Sequence, residues 1–254
     1  MKHRLFLFGF LVFFLLSSNM VAQVNAIKYK AGIKESDKLI WKCKVCNQAE
    51  MNLIFGVEWN TKGFFQNLSK GSNMKWEINN IEVNETSIRM NFSIWFWTEN
   101  RNWGVKVNDS QIIYYKDPTS YSEDINFTNH GFFVPFWFPI PVGDFMGSLN
   151  FNAWYDVDNR VLPTLNVDIP KDAISPGFPN KGVKIIAIYN DQGILSSYKL
   201  YIKGNVVIID ISLDFLPFYV LPVIIGLFSI ISIMVVGYII RKLKFTQTTT
   251  LKRK

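Results

Sequence analysis

From Phe218 to Ile240 the chain carries no charged residue, and this run limits the rest of the fold more than any other feature. At ~1.5 Å per residue its length gives ~34 Å of helix, enough for a hydrocarbon core of ~30 Å. A lone segment in lipid satisfies its backbone only as a helix. Pro217 and Pro222 fall at its start, where a missing N–H costs least, and Tyr219 sits where an interfacial aromatic is expected. Arg241, Lys242, Lys244, Lys252, Arg253 and Lys254 follow with no acid among them, the positive-inside pattern. The expected layout is a transmembrane helix at 218–240, a basic cytoplasmic tail at 241–254 and an outer domain before them.

The amino end fits the same layout. Lys2 and Arg4 precede an apolar run from Leu5 to Leu16, which as a helix would reach only ~18 Å, too short to span. Small and polar residues follow to Ala26, so 1–26 reads as a signal peptide cleaved after Ala26, with Ala22 as the alternative. The net charge of +7 would suggest nucleic-acid binding if it were spread over the chain. Two basic residues lie in 1–26 and six beyond 240, which leaves nineteen against all twenty Asp and Glu in the outer domain. The charge therefore reports topology and gives no reason to expect DNA or RNA.

Residues 27–214 are enough for one domain with a full core, and alternation dominates them. In 51–59, Met51, Leu53, Phe55, Val57 and Trp59 share one face of a strand while Asn52, Glu58 and Asn60 share the other. In 88–96, Ile88, Met90, Phe92, Ile94 and Phe96 face in, and Arg89, Asn91 and Ser93 face out. Trp76–Val83 changes phase at Asn79-Asn80, which predicts a bulge, and the turn at 84–86 makes these two segments a hairpin. Val183–Tyr189, Ser197–Lys203 and Val206–Leu213, joined through Asn190–Gly193 and Gly204-Asn205, predict a three-stranded meander leading almost directly into the membrane helix. One short helix is expected from an Asp144 N-cap through Phe145, Leu149 and Trp154, and 174–179 reads as a loop. The fold class is mainly β: an antiparallel sheet, as a sandwich or a partly open barrel, with one short helix and one transmembrane helix.

After the cleavage site, Tyr29-Lys30-Ala31-Gly32-Ile33-Lys34-Glu35-Ser36-Asp37 and then Trp41 resemble a Gly-Val/Ile-Lys-x-Gly-Asp-x-x-x-Tyr/Trp opening. Ser36 stands where that opening has Gly. The opening, the Tyr189–Leu195 turn and the Leu221-Pro222 entry are similar to uncharacterised archaeal surface proteins with a signal peptide, a β-rich outer region and a C-terminal anchor. The resemblance implies a surface location, and it brings no catalytic residues.

Cys43 and Cys46 are the only cysteines. On a straight strand they would lie ~10 Å apart on opposite faces, so a disulfide needs a turn at 45–47. A local bridge, free thiols and redox chemistry all remain open. Redox chemistry would require CxxC at a helix amino end, which the alternation in 51–59 opposes. Four soft ligands for structural zinc are not present, since the outer domain holds only His130 besides the two cysteines, and His130 reads as a turn residue. Asp156 and Asp158 lack the Gly and Glu of a calcium loop and read as a polar turn. No G-x-S-x-G, H-E-x-x-H or phosphate-binding Gly loop occurs, and no cofactor is expected. Asn67, Asn84, Asn91, Asn108 and Asn126 begin N-x-S/T sequons, all in the outer domain. The segment Phe132–Val142 holds Phe136, Trp137 and Phe138 among three prolines and is too short and too proline-rich to span. Its rings either pack into the core or rest on the membrane interface or a partner.

The expected function is a non-enzymatic, single-pass surface protein whose β domain binds a ligand, a neighbouring protein or the envelope. The alternative is a lipid or small-ligand carrier, or an outer enzyme, using a cavity in the β fold. A closed, filled core favours the first and a deep apolar cavity the second.

Overall fold

A computed structural model describes residues 29–214, apart from 62, 105, 107, 122–124, 126 and 128–132, together with 228–236 and 238. The expected signal peptide, most of the 218–240 run, the basic tail, Asn126 and His130 lie outside the described residues.

Among the described residues nine strands form one antiparallel sheet: β1 (Lys38–Cys46), β2 (Asn73–Val83), β3 (Ser87–Thr98), β4 (Asn108–Tyr115), β5 (Tyr155–Asp158), β6 (Thr164–Ile169), β7 (Val183–Tyr189), β8 (Leu195–Ile202) and β9 (Val206–Leu213). Their spatial order is β4-β3-β2-β1-β9-β8-β7-β6-β5. Two meanders, β1 to β4 and β5 to β9, are thus stitched together where β9 pairs with β1.

The hairpins stand where turn chemistry places them. β2 and β3 meet through the Asn84 turn, where the Asn84 side-chain carbonyl accepts from the backbone N–H of Thr86 and Ser87. The register slips between Ile78 and Asn80, which is the bulge expected at Asn79-Asn80. In the carboxy-terminal meander the Asn190 side chain accepts from Gln192 and Ile194 N–H, and Gly193 takes a positive φ of 83°. Gly204 and Asn205, both at positive φ, make the second turn.

One expected strand is a helix. Residues 51–59 do not alternate across a sheet, because α1 (Gln48–Phe55) occupies their first half. The Asn47 side chain caps it by accepting from Glu50 N–H at 3.1 Å, and Gly56 ends it at φ 83°. Met51 and Ile54, three apart, are its buried face, while Leu53 and Val57 point to solvent. Met51 and Phe55 satisfy helical i, i+4 spacing as well as strand alternation, so period alone did not decide between the two. The second helix, α2 (Val142–Gly147), begins two residues before the expected Asp144 cap and ends at Gly147, so Trp154 is not part of it. Asp156 and Asp158, expected in a polar turn, lie on the edge strand β5.

One face of the sheet is the core. Trp41 and Cys43 on β1, Met74 and Trp76 on β2, Met90, Phe92 and Ile94 on β3, Ile209 and Ile211 on β9, and Tyr198 and Leu200 on β8 are all buried. The sheet curls around the segment 133–142. Tyr114 on β4 and Tyr189 on β7 have five strands between them, which in a flat sheet would separate them by ~29 Å at ~4.8 Å per strand. Both nevertheless touch the ring of Phe138, at centroid distances of 5.6 and 5.0 Å. The expected mainly β class holds as one curled antiparallel sheet, with β4 and β5 as its edges.

The central segment is held by backbone bonds on two sides. Ile140 N–H donates to Lys30 O, and Lys30 N–H returns to Ile140 O. Phe138 N–H donates to Gly193 O and Leu195 N–H to Phe136 O. The amino-terminal Tyr29–Ile33 stretch and the Asn190–Leu195 turn therefore meet around it. Gly32 packs so tightly on Gln192 that a Cβ there would lie 2.4 Å from its carbonyl oxygen.

Candidate functional site

Phe136, Trp137 and Phe138 are all buried, so these rings fill the core and present nothing to a membrane or partner. Phe136 meets Trp41 edge to face at 5.0 Å and Trp76 at 5.1 Å, while Phe138 meets Tyr189 and Phe145. Large rings beside prolines gain more from burial inside a curled sheet than from exposure.

The outer face of the sheet is polar, and two places on it stand out. At the end of β9, Asp214 N–H donates to Ile40 O at 2.6 Å, and its carboxylate pairs with the guanidinium of Arg101. Ile40 is the register partner of Lys75, and Lys75 of Trp95, so Asp214, Ile40, Lys75 and Trp95 form a row across four strands. The Lys75 ammonium lies 3.5 Å from the centroid of the Trp95 ring and 5.4 Å from that of Trp103. Burial beneath these rings, together with the nearby Lys38, lowers the Lys75 pKa, against the pull of Glu77. Indole rings and a basic side chain therefore lie two to three strands along the same row from the point where the chain leaves the sheet.

At the opposite end of β9, an open groove of about 480 Å³ runs beside the Gly204-Asn205 turn. Trp154 and Tyr201 are among its lining residues, with Asp168, Lys184, Lys203 and Asn205 as its polar groups. Strand pairing brings these together: Asp168 is opposite Lys184, and Lys184 opposite Tyr201. The length of β9, seven steps at ~3.4 Å, separates this groove from the Asp214 end by ~24 Å.

Cys43 and Cys46 are free thiols and form no bridge. Yet they are not on opposite faces either, because β1 bulges between Cys43 and Val45. The Cys43 thiol donates to Val45 O at 3.2 Å, and the Gln48 amide donates to the Cys46 sulfur at 3.5 Å. The neighbouring Cys46, together with burial, pushes Cys43 far above the ordinary thiol range, while the neighbouring Cys43 holds Cys46 below it against the opposing effect of burial.

Two of the five sequon asparagines are at exposed sites. Asn67 and Asn84 are exposed in turns, whereas Asn91 is half-buried on β3 and accepts from the Gln111 amide at 2.8 Å. Ser93, the third residue of the Asn91 sequon, is buried against Asn79. Asn108 opens β4, and its side chain lies outside the described residues, as does all of Asn126. No group of three or more His, Cys, Asp or Glu side chains able to hold a metal occurs among the described residues. The Lys75 cluster and the Trp154 groove escaped the sequence reading because both are assembled across strands. The groove also involves β6 and Trp154 just before β5, which no strong alternation announces.

Comparisons with protein families, curated proteins and solved structures find no match for this chain.

Proposed function

We propose that this chain is a single-pass surface protein, anchored by the 218–240 run, whose β domain lies outside the membrane and binds through its membrane-distal surface. The observation that carries this reading is the exit of β9. Asp214 is fixed by Ile40 and Arg101 only a few residues before an uncharged run of spanning length. The surface beside it has the indole and basic composition favoured at a bilayer interface.

Residues 228–236 add support. They are helical, and their apolar side chains, among them Phe228, Ile230, Ile233 and Met234, are exposed rather than packed on the sheet. Among the described residues no helix is long and apolar enough to cross a membrane. With the Asp214 end at the bilayer, the groove around Trp154, Lys184 and Tyr201 faces away from it, ~24 Å further out. The burial of Phe136, Trp137 and Phe138 inside the curled sheet supports binding at this surface over carriage of a ligand among those rings.

Extraction tests the anchor. Membranes carrying the full chain should retain it through a high-salt wash and release it only to detergent, while a chain ending at Asp214 should be recovered in the aqueous fraction. Release of the full chain by salt alone would overturn the reading.

A further inference from the structure

We propose that Cys43 and Cys46 form a thiol–disulfide exchange site, in which Cys46 attacks an incoming disulfide and Cys43 resolves the mixed intermediate. The bulge in β1 makes this possible. Cys43 is the register partner of Ile211, and Cys46 of Ile209, so four residues of β1 lie against three of β9. Ile211 and Ile209 are two apart and both buried, which sets the two cysteines on the same core-facing side. Three steps of straight strand span ~10 Å, but the bulge lays them against two steps of β9, ~7 Å, which brings the pair to the edge of the ~4.4–6.8 Å between Cα atoms that a disulfide closes. The two thiols are close enough that each shifts the ionisation of the other.

The pair is also asymmetric in the way exchange requires. Cys43 is fully buried and keeps its proton, while Cys46 is only half-buried, at the open end of the strand. The Gln48 amide donates to the Cys46 sulfur and is itself held against Leu68 O at 2.9 Å. One residue further on, Asn47 caps α1, whose amino end adds a partial positive charge beside Cys46. The accessible sulfur is thus the one stabilised as a thiolate. Asp210 on β9, itself paired with Lys199, opposes ionisation of the buried sulfur.

The reaction balances with a disulfide as the named oxidant. The Cys46 thiolate attacks one sulfur of R–S–S–R′, forming Cys46–S–S–R and expelling R′S⁻, which takes up a proton. Cys43 gives up its proton and attacks the Cys46 sulfur, forming the Cys43–Cys46 bond as RS⁻ leaves and is protonated. Two electrons pass from the pair to the substrate, and the products are one protein disulfide and two thiols. The substrate class is a small or exposed disulfide able to reach the half-buried sulfur.

Reduced full-length protein in detergent, mixed with glutathione disulfide and quenched with acid, distinguishes the outcomes by mass. The wild-type chain should lose two hydrogens and release two glutathione thiols per protein, with little trapped adduct. Cys43→Ser should accumulate a glutathione adduct at Cys46 and release one thiol, and Cys46→Ser should react at least tenfold more slowly than Cys43→Ser. The proposal fails if the wild-type pair stays reduced, or if Cys46→Ser forms its glutathione adduct as fast as Cys43→Ser or faster. Because the wild-type stoichiometry is read without any substitution, a variant that misfolds leaves the proposal open to refutation.

Discussion

Gly193 has no room for a side chain and no freedom to make any. Its φ is 83°, and a Cβ there would lie 2.0 Å from Phe138 O, the carbonyl of a fully buried residue. Gly193→Ala should therefore cost about 3 kcal/mol or more: ~1–2 kcal/mol for the left-handed conformation and the rest for displacing the central segment. Gly204 has a similar φ of 85° but open space around it, so Gly204→Ala should cost only the conformational part. Urea unfolding of a chain ending at Asp214 measures the difference. Buried phenols give a second expectation. Burial raises Tyr114, Tyr189 and Tyr198 well above their ordinary range, and Tyr121 and Tyr155 are pushed up to about 12. In the unfolded chain these groups lose their protons at about 10. The folded state then holds more protons than the unfolded one, so stability is unaffected below that pH and falls as pH rises from about 10 to about 12. Unfolding midpoints recorded across that window should decline together with a cooperative rise in phenolate absorbance; a flat profile would contradict the burial. At this scale the sequence was informative where a turn demanded a residue type, as at Asn190 and Gly193. It did not place Cys43 and Cys46 on one side of β1, because nothing in Lys42–Cys46 announces the bulge.

The element that decides the fold is the segment 133–142, around which the sheet closes. Phe136 and Trp137 touch Trp41, Trp76, Tyr114 and the 64–65 loop, so replacing either by Ala should cost ~3–5 kcal/mol and lower the melting temperature markedly. The two are neighbours and their losses should not add. Val161→Ala, at a position 91% exposed in the β5–β6 turn, should leave the melting temperature nearly unchanged. The hairpins β2–β3, β7–β8 and β8–β9 were legible because alternation and turn residues agreed with each other. α1 was legible in principle, since Asn47 with Glu50 three residues later and Gly56 after the run are a start and a stop for a helix. Alternation of Met51, Leu53 and Phe55 outweighed those caps in the reading, and the same error removed the helix that CxxC chemistry needs. β5 and β6 gave little signal, being short and paired through the sheet rather than through a marked hairpin.

At the scale of the molecule, the curled sheet lies between a polar outer groove and the exit of β9. Neither the pairing of β9 with β1 nor the row from Asp214 to Trp95 follows from local pattern, because both depend on how the two meanders meet. The address, by contrast, was read from the two ends alone, and those ends lie almost wholly outside the described residues. Orientation is therefore the claim to test. Intact cells carrying the full chain with an epitope placed after Lys254 can be treated with an external protease and probed for that epitope. The account predicts loss of the full-length species and survival of a small membrane-embedded fragment, the anchor with its basic tail, which vanishes only when detergent opens the membrane. An epitope removed from intact cells, or a full-length chain untouched until the membrane is opened, would contradict it.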